Sequence, residues 1–397
     1  MDTFELHWNT CEQLLLAVAV GLFLIQLLYY LLLYNRIGRH NRAARRGKVT
    51  FADEAVPLSV IIYARDEADN LRNNLPAILE QDHPQFEVIV INDGNNDESE
   101  AFLTLQEAVH PNLYHSFVPE SSRYVSRRKL GITLGIKASR YDWVVVTDAD
   151  CRPVSNGWLR LMARNFTPNT EMVLGYSDYE HHRGWLHKRI AFDNLFTSMR
   201  YLGCALSGRP YMGKGRNMAY RKELFFKHKG FSSHLSLTRG DDDLFVNDTA
   251  RRDNTRVETD AQAATRVMPL PRAKDWREEK IGYMSTSRFY RGSSHHLLGL
   301  ETLTRLLFYV ALATIVVQSI LGGDLDGGDY ILIGAAALLF LLRWAVQAAV
   351  VNTAAATLGM KRRFYITLPL FDWLQPLQSL RWKLYCLFRK KREFMRK

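Results

Sequence analysis

The stretch from Trp143 to Pro153 reads Trp-Val-Val-Val-Thr-Asp-Ala-Asp-Cys-Arg-Pro, an apolar run that stops abruptly at two carboxylates. Val144 to Val146 are β-branched with no polar alternation, the pattern of a strand covered on both faces in a parallel sheet. With the backbone extended past Thr147, Asp148 and Asp150 point the same way at the C-terminal end of that strand. Open α/β sheets bind ligands at that edge. Two like charges so close need a neutralising partner, most simply a divalent cation with oxygen ligands, Mg²⁺ or Mn²⁺, sharing its other positions with substrate phosphates. A solvated Asp-x-Asp turn is the plainer reading of the tripeptide. The buried strand ahead of it favours the metal.

From Pro57 to about Val267 strand-like and helix-like segments alternate, as in a mainly parallel sheet with crossover helices. Strands are expected at Leu58 to Ala64, Phe86 to Ile91, Leu113 to Val118 and Met172 to Tyr176. Helices are expected at Glu67 to Glu80, Glu98 to Val109, Ser126 to Ala138, Gly157 to Phe166 and Leu186 to Leu206. Asp66, Asp93, Asp148 and Asp150 then sit at successive strand ends and line one crevice if the strands are neighbours. The aromatic-rich helix Leu186 to Leu206 reads either as core-facing or as contacting an acceptor. Gly213 to Arg221 holds two glycines that would let the backbone approach a ligand closely. Gly240-Asp241-Asp242-Asp243-Leu244 opens a helix, and N-capping with a favourable dipole accounts for one or two of its acids more readily than for three.

Apolar blocks flank this region. Leu14 to Tyr34 is uncharged and long enough to cross a bilayer, which takes roughly 20 residues. Asp2, Glu5 and Glu12 precede it and no small-x-small cleavage site follows, which marks a retained anchor rather than a signal peptide. Leu306 to Leu321 and Tyr330 to Leu358 form a hydrophobic hairpin around the link Gly322 to Asp329. Arg305 would snorkel at its start. Arg343 is expected at headgroup level, or against a lipid phosphate. Phe364 to Phe388, interrupted by Pro369, Asp372, Pro376 and Arg381, reads as an interfacial amphipathic segment. The expected organisation is an anchor over 1–35, a basic linker over 36–56, a catalytic domain over 57–300, a transmembrane hairpin over 301–360, and an interfacial segment with basic tail over 361–397.

Of the net charge of +11, residues 36–48 carry +6 and residues 381–397 carry +7, so the rest of the chain is at −2. The basic excess lies at the membrane edges, where it meets anionic headgroups and marks the cytoplasmic side. The soluble part has no basic footprint, which argues against a nucleic-acid partner. Cys11, Cys151, Cys204 and Cys386 form no Cys-x-x-Cys pair and suit a reducing compartment. His181/His182 and His295/His296 lack the i, i+4 spacing of helical metal ligands.

Across Leu58 to Arg288 the motifs, in this order, resemble family 2 glycosyltransferases, inverting enzymes of the GT-A fold. The flanking helices resemble the family's membrane-attached branch, which includes ceramide glucosyltransferase-like enzymes. Ser59 to Ile62 followed by Ala64-Arg65-Asp66-Glu67 is similar to the first strand and nucleotide-contacting turn. Asp93 matches the aspartate at the base or ribose, and Arg128 and Lys129 a basic position near the diphosphate. Asp148 and Asp150 match the Asp-x-Asp metal site. Gly215, Asn217, Ala219 and Arg221 match a Gly-x-Asn-x-Ala-x-Arg segment around donor and acceptor. Aligning Asp243-Leu244 with the family's Asp-Leu makes Asp241 the catalytic base, with Asp242 as the fallback.

Two departures stand out. Tyr63 replaces the usual proline of the first strand, a change expected to matter little. The Gln-x-x-Arg-Trp motif of processive members would fall after Trp276, where the chain reads Glu279-Lys280-Ile281-Gly282-Tyr283. Its absence favours adding one sugar per acceptor. The resemblance thus implies a nucleotide-sugar donor, UDP before GDP, a Mn²⁺ or Mg²⁺ cofactor, and a lipid, lipid-linked or glycan acceptor at the cytoplasmic face of an inner or plasma membrane. The alternatives are a processive polysaccharide synthase and a non-catalytic nucleotide-sugar-binding scaffold.

Overall fold

The computed structural model describes residues 9–94, 98–119, 126–321 and 327–388. Asp2, Glu5, residues 95–97 of the loop after Asp93, most of the hairpin link and the tail 389–397 lie outside them. The chain enters through α1 (Thr10–Leu28), whose Asn9 cap accepts from the Glu12 amide while Glu12 bonds back to the Asn9 amide. A π-helical turn (Tyr29–Tyr34) leads into α2 (Arg36–Arg45).

Then β1 (Leu58–Ala64), α3 (Ala68–Leu79), β2 (Phe86–Asn92), α4 (Ser99–Val109), β3 (Leu113–Phe117), α5 (Arg127–Ala138) and β4 (Trp143–Asp148) alternate as expected. The parallel register sets Tyr63 opposite Asp148 and Ala64 opposite Asn92. The acid-bearing ends of β2, β1 and β4 therefore lie side by side. Val144 and Val146 enter one hydrophobic core and Val145 the other, so β4 is covered on both faces.

Beyond β4 come β5 (Cys151–Pro153), α6 (Trp158–Ala163), β6 (Met172–Leu174), β7 (Ser177–Tyr179), α7 (Trp185–Leu206), β8 (Met218–Arg221) and α8 (Lys222–Lys227). They are followed by α9 (Asp243–Thr249), β9 (Thr255–Val257), β10 (Thr265–Val267) and α10 (Ala273–Ser287). The main sheet is mixed, in the order β3-β2-β1-β4-β8-β6-β9, with β8 antiparallel to both its neighbours. A smaller sheet runs β5-β10-β7. Helix α7 is buried along most of its length, the core-facing arrangement. A Cβ on Gly203 of α7 would stand 2.9 Å from the Leu33 carbonyl oxygen, so only glycine permits this approach to the entry helix.

Helices α11 (Ser294–Leu321) and α12 (Gly327–Thr357) pack on each other and on α1. These three helical stretches are long and apolar enough to cross a membrane. The last helix, α13 (Leu368–Phe388), packs on α10 and α11. The expected snorkelling of Arg305 and the lipid-phosphate contact of Arg343 are overturned. Both are buried, with Asp372 of α13 between them, 3.1 Å from Arg305 and 2.8 Å from Arg343. Arg305 also faces Glu301, which pairs with Arg200 of α7, and Arg343 donates to Gln26 of α1 at 3.1 Å. In a low-dielectric interior an arginine is tolerated when paired, and Asp372 supplies the pairing.

Candidate active site

Strand β4 ends at Asp148, and Ala149 and Asp150 form a turn rather than extending the strand. The turn still brings one ligand atom each from Asp148, Asp150 and Cys151 within 4.8 Å of one another. Burial pushes the Cys151 thiol well up, so it stays protonated and donates to Asp150 at 3.3 Å. Two hard carboxylates remain, a donor set that fits Mg²⁺ or Mn²⁺ better than a thiophilic metal. Burial also raises Asp150, against the opposing pull of Arg216. A bound cation would keep it ionised.

Arg128, in the first turn of α5, joins this strand end to the acidic run. Its Nη2 lies 2.5 Å from Asp148 and its Nε 2.7 Å from Asp241. The helix start is fixed by Ser126, whose hydroxyl accepts from the Lys129 amide. A cleft of about 360 Å³ opens here, lined by Arg128, Asp148, Gly215, Asp241, Asp242 and Tyr283, among others.

The three successive acids have separate tasks. Burial would raise Asp241, but the Arg128 guanidinium outweighs it and holds the carboxyl below its usual range. Asp242 accepts from the Gly215 amide at 3.1 Å and the Tyr283 hydroxyl at 2.8 Å. Burial and the neighbouring Asp241 charge raise it. Asp243 accepts from Thr286 and, at 2.7 Å, from Tyr290, which ties α9 to α10. Burial, then Asp242, pushes it up to about 7.

Of the residues expected to contact a donor, Ala64 is the buried last residue of β1 and Arg65 is exposed, 3.9 Å from Asp66. Glu67 precedes α3, accepts from Asn70, and is raised by burial and by the Asp150 and Asp148 charges. Asp93 pairs with Arg127 and accepts from Tyr63. Tyr63, which replaces the usual proline, donates to Asp93, lies over Gly131 and stands 5.6 Å from Arg128.

Other expected site residues are engaged elsewhere. Lys129 is buried, donates to the carbonyls of His234 and Leu237 at 2.7 and 3.0 Å, and is lowered by burial to about 8. Asn217 accepts from Trp158 at 3.0 Å and donates to the carbonyls of Tyr176 and Ala263. Arg221 pairs in register with Trp143, at the opposite end of β4 from Asp148, and donates to the Thr170 carbonyl.

Arg216, Arg239, Glu279 and Tyr283 also line the cleft and were not singled out from the sequence. Arg216 reaches Asp148 at 3.9 Å and Glu279 at 3.3 Å. Against the cost of burial, Arg216 and Lys214 hold Glu279 down at about 2. Glu279 and Tyr283 are four apart on α10 and so share a face, a helical signal available in the sequence.

Residues 59–228 match the family model described as Glycosyl transferase family 2. The matched segment is similar to family 2 glycosyltransferase domains. It contains Asp93, Arg128, Asp148 and Gly215. The match ends before Asp241, so the acidic run and α10 reach the site from beyond it. None of the curated proteins compared with the chain matches it. Among solved structures, the mannosyltransferase PcManGT from Pyrobaculum calidifontis, in complex with GDP-Man and Mn²⁺, is 18% identical with a TM-score of 0.52. The alignment covers 87% of this chain and 98% of that one. S. aureus TarS 1-349, in complex with UDP-GlcNAc, is 14% identical with a TM-score of 0.42, over 82% of this chain and 92% of that one. The likeness to PcManGT is one of fold, mixed α/β and GT-A-like.

Proposed function

We propose that this chain is a membrane-anchored, metal-dependent, inverting glycosyltransferase of the membrane-attached branch. It moves one sugar from a nucleotide-sugar to a hydroxyl of a lipid or lipid-linked acceptor at the cytoplasmic face. The observation that carries the reading is Arg128, one guanidinium shared by the Asp-x-Asp strand end and the acidic run. A divalent ion on Asp150 and Asp148 would supply charge neutralisation as the sugar–phosphate bond breaks. Arg128 balances the two acids, and a diphosphate is a strong competing anion for it. Exchange onto the donor would release Asp241 and raise its proton affinity, readying it to take the acceptor proton. UDP is the nucleotide the family resemblance favours, with GDP second.

The test is the anomeric configuration of the product, read by NMR after transfer from a panel of UDP- and GDP-sugars. Inversion is expected. Retention would contradict the base assigned to Asp241.

A further inference from the structure

Residues 236–244 have a second cleft on their other side. Leu237 and Leu244 line it, whereas Thr238, Arg239 and Asp241 to Asp243 line the first. Its volume is about 560 Å³, and Arg288, Phe289, Arg291 and Asp248 complete one wall. Asp248 is largely committed: it accepts from Ser233 at 2.8 Å and stands 3.6 Å from His234 and 3.8 Å from Arg291. Arg288 has no carboxylate partner among the described residues and stacks over Phe289 at 4.7 Å. Arg239, lying across Gly282 on the active-site side, has no ion pair among the described residues either.

The position of this cleft is the second observation. Three residues after Arg291 the chain enters α11, a candidate span, and Leu300, Leu303 and Leu307 of α11 are exposed. Phe289, 46% exposed, is an aromatic at the foot of a span beside basic groups, the composition of a headgroup zone. Guanidinium groups at that depth suit phosphate oxygens.

We infer that this cleft holds the phosphate of an acceptor phospholipid whose headgroup also bears the hydroxyl to be glycosylated. The inference rests on the glycosyltransferase reading and adds the acceptor class. On this inference the phosphate serves as a handle in the cleft of Arg288 and Arg291, and a hydroxyl further along the headgroup is presented to Asp241 in the first cleft. The hydroxyl oxygen bonds to the anomeric carbon, the bond from that carbon to the diphosphate breaks, the nucleotide leaves with the electron pair, and Asp241 receives the proton.

The test uses the full chain in phosphatidylcholine vesicles with metal and labelled donors, measuring nucleotide release and label in extracted lipid. Phosphatidylglycerol supplies phosphate and hydroxyl. Diacylglycerol lacks the phosphate, phosphatidylserine lacks the hydroxyl, and free glycerol 3-phosphate lacks the lipid. Label is expected in phosphatidylglycerol alone. Arg288→Gln with Arg291→Gln should raise its KM by roughly tenfold or more, the scale of lost charge-assisted bonds, while donor affinity is unchanged. Labelling of diacylglycerol to the same extent, absence of label in phosphatidylglycerol, or an unaltered KM in the double variant would overturn the inference. Label in free glycerol phosphate would make this a soluble-phosphate site and overturn the lipid assignment. No nucleotide release in any arm would instead remove the glycosyltransferase reading itself.

Discussion

Asp241, Asp242 and Asp243 are consecutive, yet each meets a different cation or donor, and their chemistry divides accordingly. Asp241→Asn should keep nucleotide binding while lowering transfer by roughly 10²–10⁴, the range of general-base catalysis. A rate within about tenfold of the parent would move the base to Asp242. Asp243, pushed up to about 7, binds its proton more tightly folded than unfolded. Stability should therefore fall as pH rises from about 4 to about 7 and then level off. Thermal unfolding of Asp243→Asn at pH 5 and pH 8 should show less of that fall, and an equal fall would contradict the assignment. Asp148 and Asp150 were legible because a buried strand announces its own end. The distinction between Arg128 and Lys129 was not. Neighbours on a helix point about 100° apart, and only the packing of the 234–237 segment tells which of them faces the cleft.

Elements set the frame in which these residues act. The strands and crossover helices from β1 to β4 were legible to within a residue or two, since apolar runs and caps are local signals, whereas α6 ends three residues earlier than expected and the short β5, β7, β8, β9 and β10 were not anticipated. The pairing of Arg305 was not, because Asp372 comes 67 residues later and appeared only as an interruption in an apolar segment. Asp372 is the anion shared by two buried arginines. Asp372→Ala should destabilise the protein by about 3–5 kcal/mol, the usual cost of leaving buried charge unpaired. Thermal unfolding in detergent, beside exposed Arg381→Gln as control, would check this. Equal midpoints for the two variants would show that the cluster does not hold α13. Helix α13 in turn supports α10 through the perpendicular contact of Trp382 with Trp276, and α10 presents Glu279 and Tyr283 to the site.

For the whole molecule, the positive-inside tendency applied to the basic linker and tail predicts an orientation with the start of α1 outside and residues 57–300 and α13 on the cytoplasmic side. Cys11, exposed at the start of α1, should react with an impermeant maleimide from outside, and Cys386 of α13 only after permeabilisation. The reverse pattern would invert the topology. The central claim is that the Asp148–Asp150 strand end holds a metal against a nucleotide-sugar. Nucleotide release from UDP- and GDP-sugars by the purified protein, with and without Mn²⁺ or Mg²⁺ and alongside Asp150→Ala, tests it most directly. Metal-dependent release from one donor, lost in Asp150→Ala, is the predicted result. Release that ignores the metal and survives the substitution would contradict it.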